Sequence, residues 1–194
     1  MRKKISAFLF LALLVLVNGC GVQKLARLKE CNFSFGKVTS VSWAGIDFTK
    51  VISDYKSLDL SSLAKVTRAV ASGDYKVRVG LTLNASNPNR KDAGLAGFDY
   101  ILYYKNEKVG AGESLNSQDI LIPANGERIS IPLSLDVDFR DLVNLKQLKS
   151  AEGAFSLVNS ILNIGKSNTD FQLKVRPHVR IGNQTVKSIY LNIN

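Results

Sequence analysis

Asp74-Tyr75-Lys76-Val77-Arg78-Val79-Gly80-Leu81-Thr82-Leu83-Asn84-Ala85-Ser86 decides the fold class. Tyr75, Val77, Val79, Leu81, Leu83 and Ala85 recur at every second position, and Asp74, Lys76, Arg78, Thr82 and Asn84 stand between them. A period of two puts these sets on opposite faces of a strand, one buried and one wet. Residues 129–139 repeat the pattern, with Ile129, Ile131, Leu133, Leu135, Val137 and Phe139 inward and Ser130, Ser134, Asp136 and Asp138 outward. Residues 171–181 do so again, with Phe171, Leu173, Val175, Val179 and Ile181 against Gln172, Lys174, Arg176, His178 and Arg180. Such alternation marks antiparallel sheets with one solvated face, packed as a sandwich. Further strands are predicted at 32–42, 97–105, 108–115 and 185–193, with Lys105-Asn106-Glu107-Lys108 as a turn between two of them. Aromatic side chains fall on both faces of 98–104, which predicts a second cover over that strand.

Two segments carry helical spacing instead. Leu60, Leu63, Val66 and Val70 predict a short helix that Asp59 or Ser61 can cap. Leu145, Leu148, Ala151, Phe155, Val158 and Leu162 predict a longer one over 141–163, where Gly153 breaks or kinks the run. The expected fold is therefore mainly β: one antiparallel β-sandwich with one short and one longer inserted helix.

The N-terminus specifies location. Arg2-Lys3-Lys4 precedes a 13-residue apolar run, Ile5 to Val17, and Val17-Asn18-Gly19-Cys20 closes it. A basic n-region, a short apolar h-region and a small residue before the cut make a secretory signal peptide. As a helix the run reaches roughly 20 Å, short of the about 30 Å of bilayer hydrocarbon. The Val-x-Gly-Cys ending resembles the lipobox of bacterial lipoproteins, in which the cysteine thiol is acylated. Residues 1–19 are thus expected to be a lipoprotein signal peptide, Cys20 the lipidation site and 20–30 a lipidated tether. Residues 31–194 remain as one domain. Three long acyl chains hold a protein at a membrane where one does not. Gly21 rather than Asp follows Cys20. By resemblance to sorting rules in diderm bacteria, this implies the outer membrane, facing the periplasm.

Cleavage removes three of the 26 basic residues and none of the 16 acids, leaving a net charge of +7. Hydrophobic content of 45% supports a buried core and excludes a disordered hydrophilic chain. With Cys20 consumed, Cys31 has no partner, so a disulfide framework is excluded. Cys31, Phe33 and Phe35 alternate with Asn32 and Ser34, which predicts a core thiol.

Residues for catalysis are sparse. His178 is the one histidine, and its place among Lys174, Arg176 and Arg180 on a polar strand face predicts an ordinary exposed imidazole. One histidine and one cysteine cannot build a zinc site without carboxylates. Asp136, Asp138 and Asp141 read as capping and solvation rather than calcium ligands. Val109-Gly110-Ala111-Gly112 lacks the third glycine and the βαβ context of a dinucleotide fingerprint. It reads as small strand residues that another chain segment approaches closely. No enzyme, cofactor or metal is expected. Lys174, Arg176, His178 and Arg180 project to one side of a strand, and Lys76 and Arg78 form a similar pair. If those strands are neighbours, the six form a cationic face for anionic headgroups. Nucleic acid is not an expected partner, because exposed aromatics do not interleave the basic residues.

Val77-Arg78-Val79-Gly80-Leu81-Thr82-Leu83-Asn84-Ala85-Ser86-Asn87-Pro88-Asn89 resembles the strand and Asn-Pro-Asn signature of the late embryogenesis abundant (LEA) type 2 family, which includes the water-stress and hypersensitive-response domain. The similarity continues through Phe98-Asp99-Tyr100-Ile101-Leu102-Tyr103-Tyr104, Lys108 to Gly112 and Ile122-Pro123-Ala124, and covers about a third of the chain. Pro88 cannot donate to a ladder and Asn87 and Asn89 bond local backbone, so the motif is structural. The resemblance implies a fibronectin/immunoglobulin-like sandwich, desiccation or stress tolerance, and no catalytic residues. The 141–163 helix departs from the family pattern. Two readings follow: a non-enzymatic envelope lipoprotein acting in stress protection or at the membrane surface, or an envelope assembly or lipid-transport accessory binding a lipid or protein partner.

Overall fold

The structure, a computed structural model, describes residues 23, 25–50, 58–140, 150–164 and 170–193. The expected signal peptide at 1–19, Cys20 and the 141–149 part of the second helix lie outside the described residues. The fold is mainly β: two antiparallel sheets packed face to face.

The first sheet contains β1 (Asn32–Trp43), β2 (Ile46–Asp47), β3 (Lys76–Ser86) and β6 (Arg128–Asp138), in the order β2-β1-β3-β6. The alternating stretch that set the fold class is β3. Val77, Val79, Leu81, Leu83 and Ala85 are all buried, and the intervening residues are not. β6 pairs with β3 in an unbroken antiparallel register from Lys76↔Asp138 to Ser86↔Arg128. Matched periods on the two strands give one continuous apolar face, and a slip of one residue would turn it outward. β1 is less regular. Its register shifts between Phe35 and Val38 and again before Ser40, where Thr82 Oγ1 accepts the Lys37 N–H at 3.1 Å.

The second sheet contains β4 (Ala93–Tyr104), β5 (Glu107–Ile122), β7 (Phe171–Ile181), β8 (Gln184–Lys187) and β9 (Leu191–Ile193). β5, β4, β7 and β8 follow in that order. The expected strand at 185–193 is two short pieces. β8 pairs with Val179 and its neighbours and β9 with Leu173–Val175, both antiparallel to β7. β4 and β5 meet in a two-residue turn whose Lys105 and Asn106 have φ of 48° and 68°. Two left-handed residues are what the twist of a tight hairpin demands. Farther along, Leu95 pairs with Ile120 but Gly97 pairs with Leu115, so residues 116–119 of β5 bulge outward. The irregularity shifts the inward set of β4 from Ala93 and Leu95 to Phe98, Tyr100, Leu102 and Tyr104.

The edges of β5 and β6 abut, and the Gly110-Ala111-Gly112 run makes this possible. A Cβ on Gly110 would lie 2.8 Å from the Asp136 carbonyl oxygen, and one on Gly112 would lie 2.6 Å from the Tyr100 hydroxyl. Tyr100, from the second sheet, accepts the Asp136 N–H of the first at 3.1 Å through that hydroxyl.

α1 (Leu60–Ser72) starts at Asp59, whose Oδ1 accepts the Ser62 N–H at 2.8 Å, and ends at Gly73 with φ 70°. α2 (Ala151–Leu162) starts at Ser150, which caps Gly153 N–H at 3.1 Å. Gly153 therefore stands in the first turn and interrupts no described helix. α2 plugs one end of the sandwich: Phe155 meets Phe48 with centroids 5.9 Å apart, and Ala154, Leu157 and Val158 face Trp43, Tyr75, Val77 and Phe139. The space left there is about 10 Å³. The described part of the predicted 141–163 helix thus packs at the end of the sandwich, against β1 and α1.

Candidate functional site: a buried histidine between two carboxylates

Register builds the site on the outer face of the second sheet. Asp99 of β4 stands opposite Glu113 of β5 and Arg176 of β7. One row along, Gly97 stands opposite His178, and His178 opposite Lys187 of β8. Gly97 is itself pressed against β5, where a Cβ would lie 2.2 Å from the Ser114 carbonyl oxygen, and the imidazole stands near the two acids. Its Nε2 lies 3.2 Å from Asp99 Oδ1 and its Nδ1 lies 3.8 Å from Glu113 Oε1. Lys187 Nζ donates to Asp99 Oδ1 at 3.1 Å and to Glu113 Oε1 at 2.9 Å. Arg176 Nε donates to Asp99 Oδ2 at 2.6 Å, and its Nη2 contacts the same oxygen.

His178 is 0% exposed, and neither ring nitrogen has a hydrogen-bond partner. The nearby carboxylate oxygens lie off the N–H directions. The exposed imidazole expected from the sequence is thus corrected: β8, β4 and the paired side chains cover it. Burial pushes its pKa below the ordinary value, outweighing the attraction of Asp99 and Glu113 for a proton. Burial acts on Asp99 in the opposite direction and would raise its pKa. Hydrogen bonds from Arg176 and Lys187 outweigh that effect and hold Asp99 below the usual carboxylate range. The centre thus gathers the acids Asp99 and Glu113, the bases Arg176 and Lys187 and the imidazole of His178.

The six cations singled out from the sequence do not share one face. Lys76 and Arg78 belong to β3 in the first sheet, while Lys174, Arg176, His178 and Arg180 belong to β7 in the second. Outer faces of a two-layer sandwich point apart, so the condition for one continuous cationic surface fails. Most of the six are also engaged within the fold. Arg78 pairs with Asp136 at 3.0 Å, Arg176 with Asp99, and Lys174 lies over the Tyr103 ring at 5.1 Å. Arg180 donates to the Asn116 carbonyl at 2.8 Å and the Ser117 carbonyl at 3.1 Å, holding the β5 bulge.

A second feature occupies the end of the sandwich opposite α2. Asn87 is 0% exposed; its Nδ2 donates to the Lys91 and Ile122 carbonyls at 2.9 and 3.1 Å. Its Oδ1 accepts from Asn89 N and Nδ2. Asn89 Nδ2 also donates to the Arg27 carbonyl at 3.3 Å, which ties the helical turn at 25–30 to this end. Leu28 is buried beneath that turn. Cys31 donates its thiol to the same carbonyl at 3.3 Å, and burial pushes its pKa up to about 11, the behaviour of a core thiol. Lys29, Arg90, Lys91 and Arg128 are exposed around this end, with Arg27 beside them, and none is in an ion pair among the described residues. Glu30, Asp92 and Glu127 are the acids there.

Asp99, Glu113 and Lys187 were not singled out from the sequence. An acid inside Phe98-Asp99-Tyr100 was a signal for Asp99, because a charge within an aromatic strand needs partners. Glu113 and Lys187 carry no such signal; only register brings them to Asp99.

No family model matches the chain, and no curated protein matches it. Similar solved structures include a protein from Archaeoglobus fulgidus, with 12% identity and a TM-score of 0.36 over 61% of this chain and 83% of that one. An ApaA-like protein from Bordetella pertussis shows 10% identity and 0.35 over 84% and 91% of the two chains. A solution structure named for the late embryogenesis abundant family shows 17% identity and 0.34 over 98% of this chain and 82% of that chain.

Proposed function

We propose that this chain is a non-enzymatic, lipid-anchored protein of the bacterial envelope, held at the outer membrane and serving there in stress protection. The protective role is the one implied by its resemblance to LEA type 2 sequences. One observation carries the membrane-surface part. The helical turn at 25–30 is stitched to the Asn87–Asn89 end of the sandwich, through Asn89 to the Arg27 carbonyl and through buried Leu28. Gln23 stands three residues after Cys20. A chain reaches at most roughly 3.3–3.6 Å per residue, so that step can span no more than about 10 Å. Charges within about 8–10 Å of a bilayer still feel its surface potential at physiological salt. Arg27, Lys29, Arg90, Lys91 and Arg128 outnumber the three acids at that end. Headgroup contact is therefore assigned to this loop end rather than to the β7 strand face, where cations are engaged by internal partners.

Labelled fatty acid and membrane fractionation test the anchor. Cys20→Ala should lose the label and leave the membrane; unchanged labelling would remove the anchor. Charge reversal of Arg90 and Lys91 in the anchored protein tests orientation. It should raise protease access to loop 87–92 at low salt, and an unaltered cleavage rate would contradict the loop-end contact.

A further inference from the structure

His178 poses a problem that the ion pairs around it do not solve. It is 0% exposed, both ring nitrogens lack a hydrogen-bond partner, and each lies near a carboxylate oxygen that Lys187 already engages. A buried polar group left unpaired costs about 1–3 kcal/mol, so such groups are few and have a cause. Asp99, Glu113 and His178 each offer one ligand atom, and these atoms all lie within 4.8 Å of one another.

We infer that Asp99, Glu113 and His178 form a binding site for a divalent transition metal of the zinc type, for which the Lys187 ammonium is a tethered stand-in. The reasons are geometric and chemical. Lys187 Nζ touches Asp99 Oδ1 and Glu113 Oε1, the oxygens nearest the imidazole. Asp99 Oδ2 stays with Arg176, which fixes the carboxylate and leaves Oδ1 to the centre. Metal–ligand bonds of about 2.0–2.2 Å place tetrahedral ligand atoms roughly 3.3 Å apart. One ring nitrogen ligates: Nε2 already stands 3.2 Å from Asp99 Oδ1, and Glu113, whose side chain is 44% exposed, must swing to bring Oε1 to the same nitrogen. A neutral imidazole with two carboxylates suits a borderline cation and leaves a fourth position for water.

Lys187 is the part that moves. It stands on the short edge strand β8 with its side chain 41% exposed, on a four-carbon stem that can turn to solvent. His178 cannot leave, because it is enclosed. Metal entry would exchange an ammonium for a divalent ion on the same oxygens and give the orphaned ring nitrogen a bond. The site lies on the flank of the sandwich, and its test is independent of the anchor.

Zn²⁺ titration of the full chain in detergent by calorimetry, paired with the visible spectrum of Co²⁺, tests the assignment. One equivalent should bind, and Co²⁺ should give the absorption of a four-coordinate centre. Glu113→Gln, a change at an exposed position, should weaken binding at least tenfold, and His178→Ala should abolish the Co²⁺ spectrum. Lys187→Met should tighten binding, because the competing ammonium is gone. The Lys187→Met arm separates this site from adventitious binding at thiols or surface acids, which that change would leave untouched. Failure of Lys187→Met to bind Zn²⁺, or binding indifferent to both Glu113→Gln and His178→Ala, would overturn the assignment.

Discussion

Replacing Asn87 should be among the most damaging polar changes in this protein. The side chain is 0% exposed and has every polar atom in use: Nδ2 donates to Lys91 O and Ile122 O, and Oδ1 accepts from Asn89 N and Nδ2. Asn87→Ala removes four hydrogen bonds at once, although Asn89 Nδ2 keeps its bond to the Arg27 carbonyl. A buried group losing its partner costs about 1–3 kcal/mol, and relaxation of the loop towards water recovers part of the sum, which leaves about 3–5 kcal/mol. For a domain of this size that loss corresponds to a Tm lower by about 6–20 °C. Asn87→Asp should be worse at neutral pH, because an acceptor then faces two carbonyl oxygens. Its folded-state pKa is raised, so the variant should be most stable in acid and lose stability as pH rises through the unfolded value of about 3.9 and on to the folded one. Urea unfolding followed by circular dichroism at neutral and acid pH measures both effects. A loss under about 1 kcal/mol for Asn87→Ala would refute the closed hydrogen-bond account.

Three further outcomes follow. Leu133→Ala should cost about 2–5 kcal/mol and Ser134→Ala under about 1, since adjacent residues of β6 face core and solvent; equal losses in urea unfolding would contradict a sandwich with one wet side. Asp99 has a depressed pKa, so its contribution is present above the unfolded carboxylate value of about 3.9 and is lost as pH falls through the folded value. Asp99→Asn should therefore be less stable at neutral pH and less sensitive to acid than the parent, and parallel pH profiles would count against the pairing with Arg176 and Lys187. Cys31, raised to about 11, should resist alkylation at mildly alkaline pH in a Cys20→Ser background until denaturant exposes it, whereas rapid labelling of the folded chain would show an accessible thiol.

Periodicity made much of the fold legible, because burial on one face imposes its pattern locally. The alternation in 75–85, 129–139 and 171–181 needs no partner to be read, and those segments are most of β3, most of β6 and all of β7. Short-range chemistry was equally open: Asp59 as a cap, Lys105-Asn106 as a turn, Gly110 and Gly112 as points of close approach. The break between β8 and β9 was not, since Leu191–Ile193 and Gln184–Lys187 differ from one long strand only in what each meets on β7.

The site was decided by tertiary structure. Composition and spacing located the cations, but a charge balance per residue is silent on which carboxylate stands opposite which base. Register answered that: β4 brings Asp99 to Arg176, β5 brings Glu113 to Asp99, and β8 lays Lys187 against His178. These partners are 77, 88 and 74 residues apart for Arg176–Asp99, Lys187–Asp99 and Lys187–Glu113. The polar face of β7 read as exposed because alternation assumes water on one side. His178 is dry because Asp99, Glu113 and Lys187, brought in by three other strands, gather around it. The sequence by itself determined which faces are apolar and where the strands turn. Only the assembled sheets determined which charges meet, because that depends on pairings whose cause is the packing of the whole core.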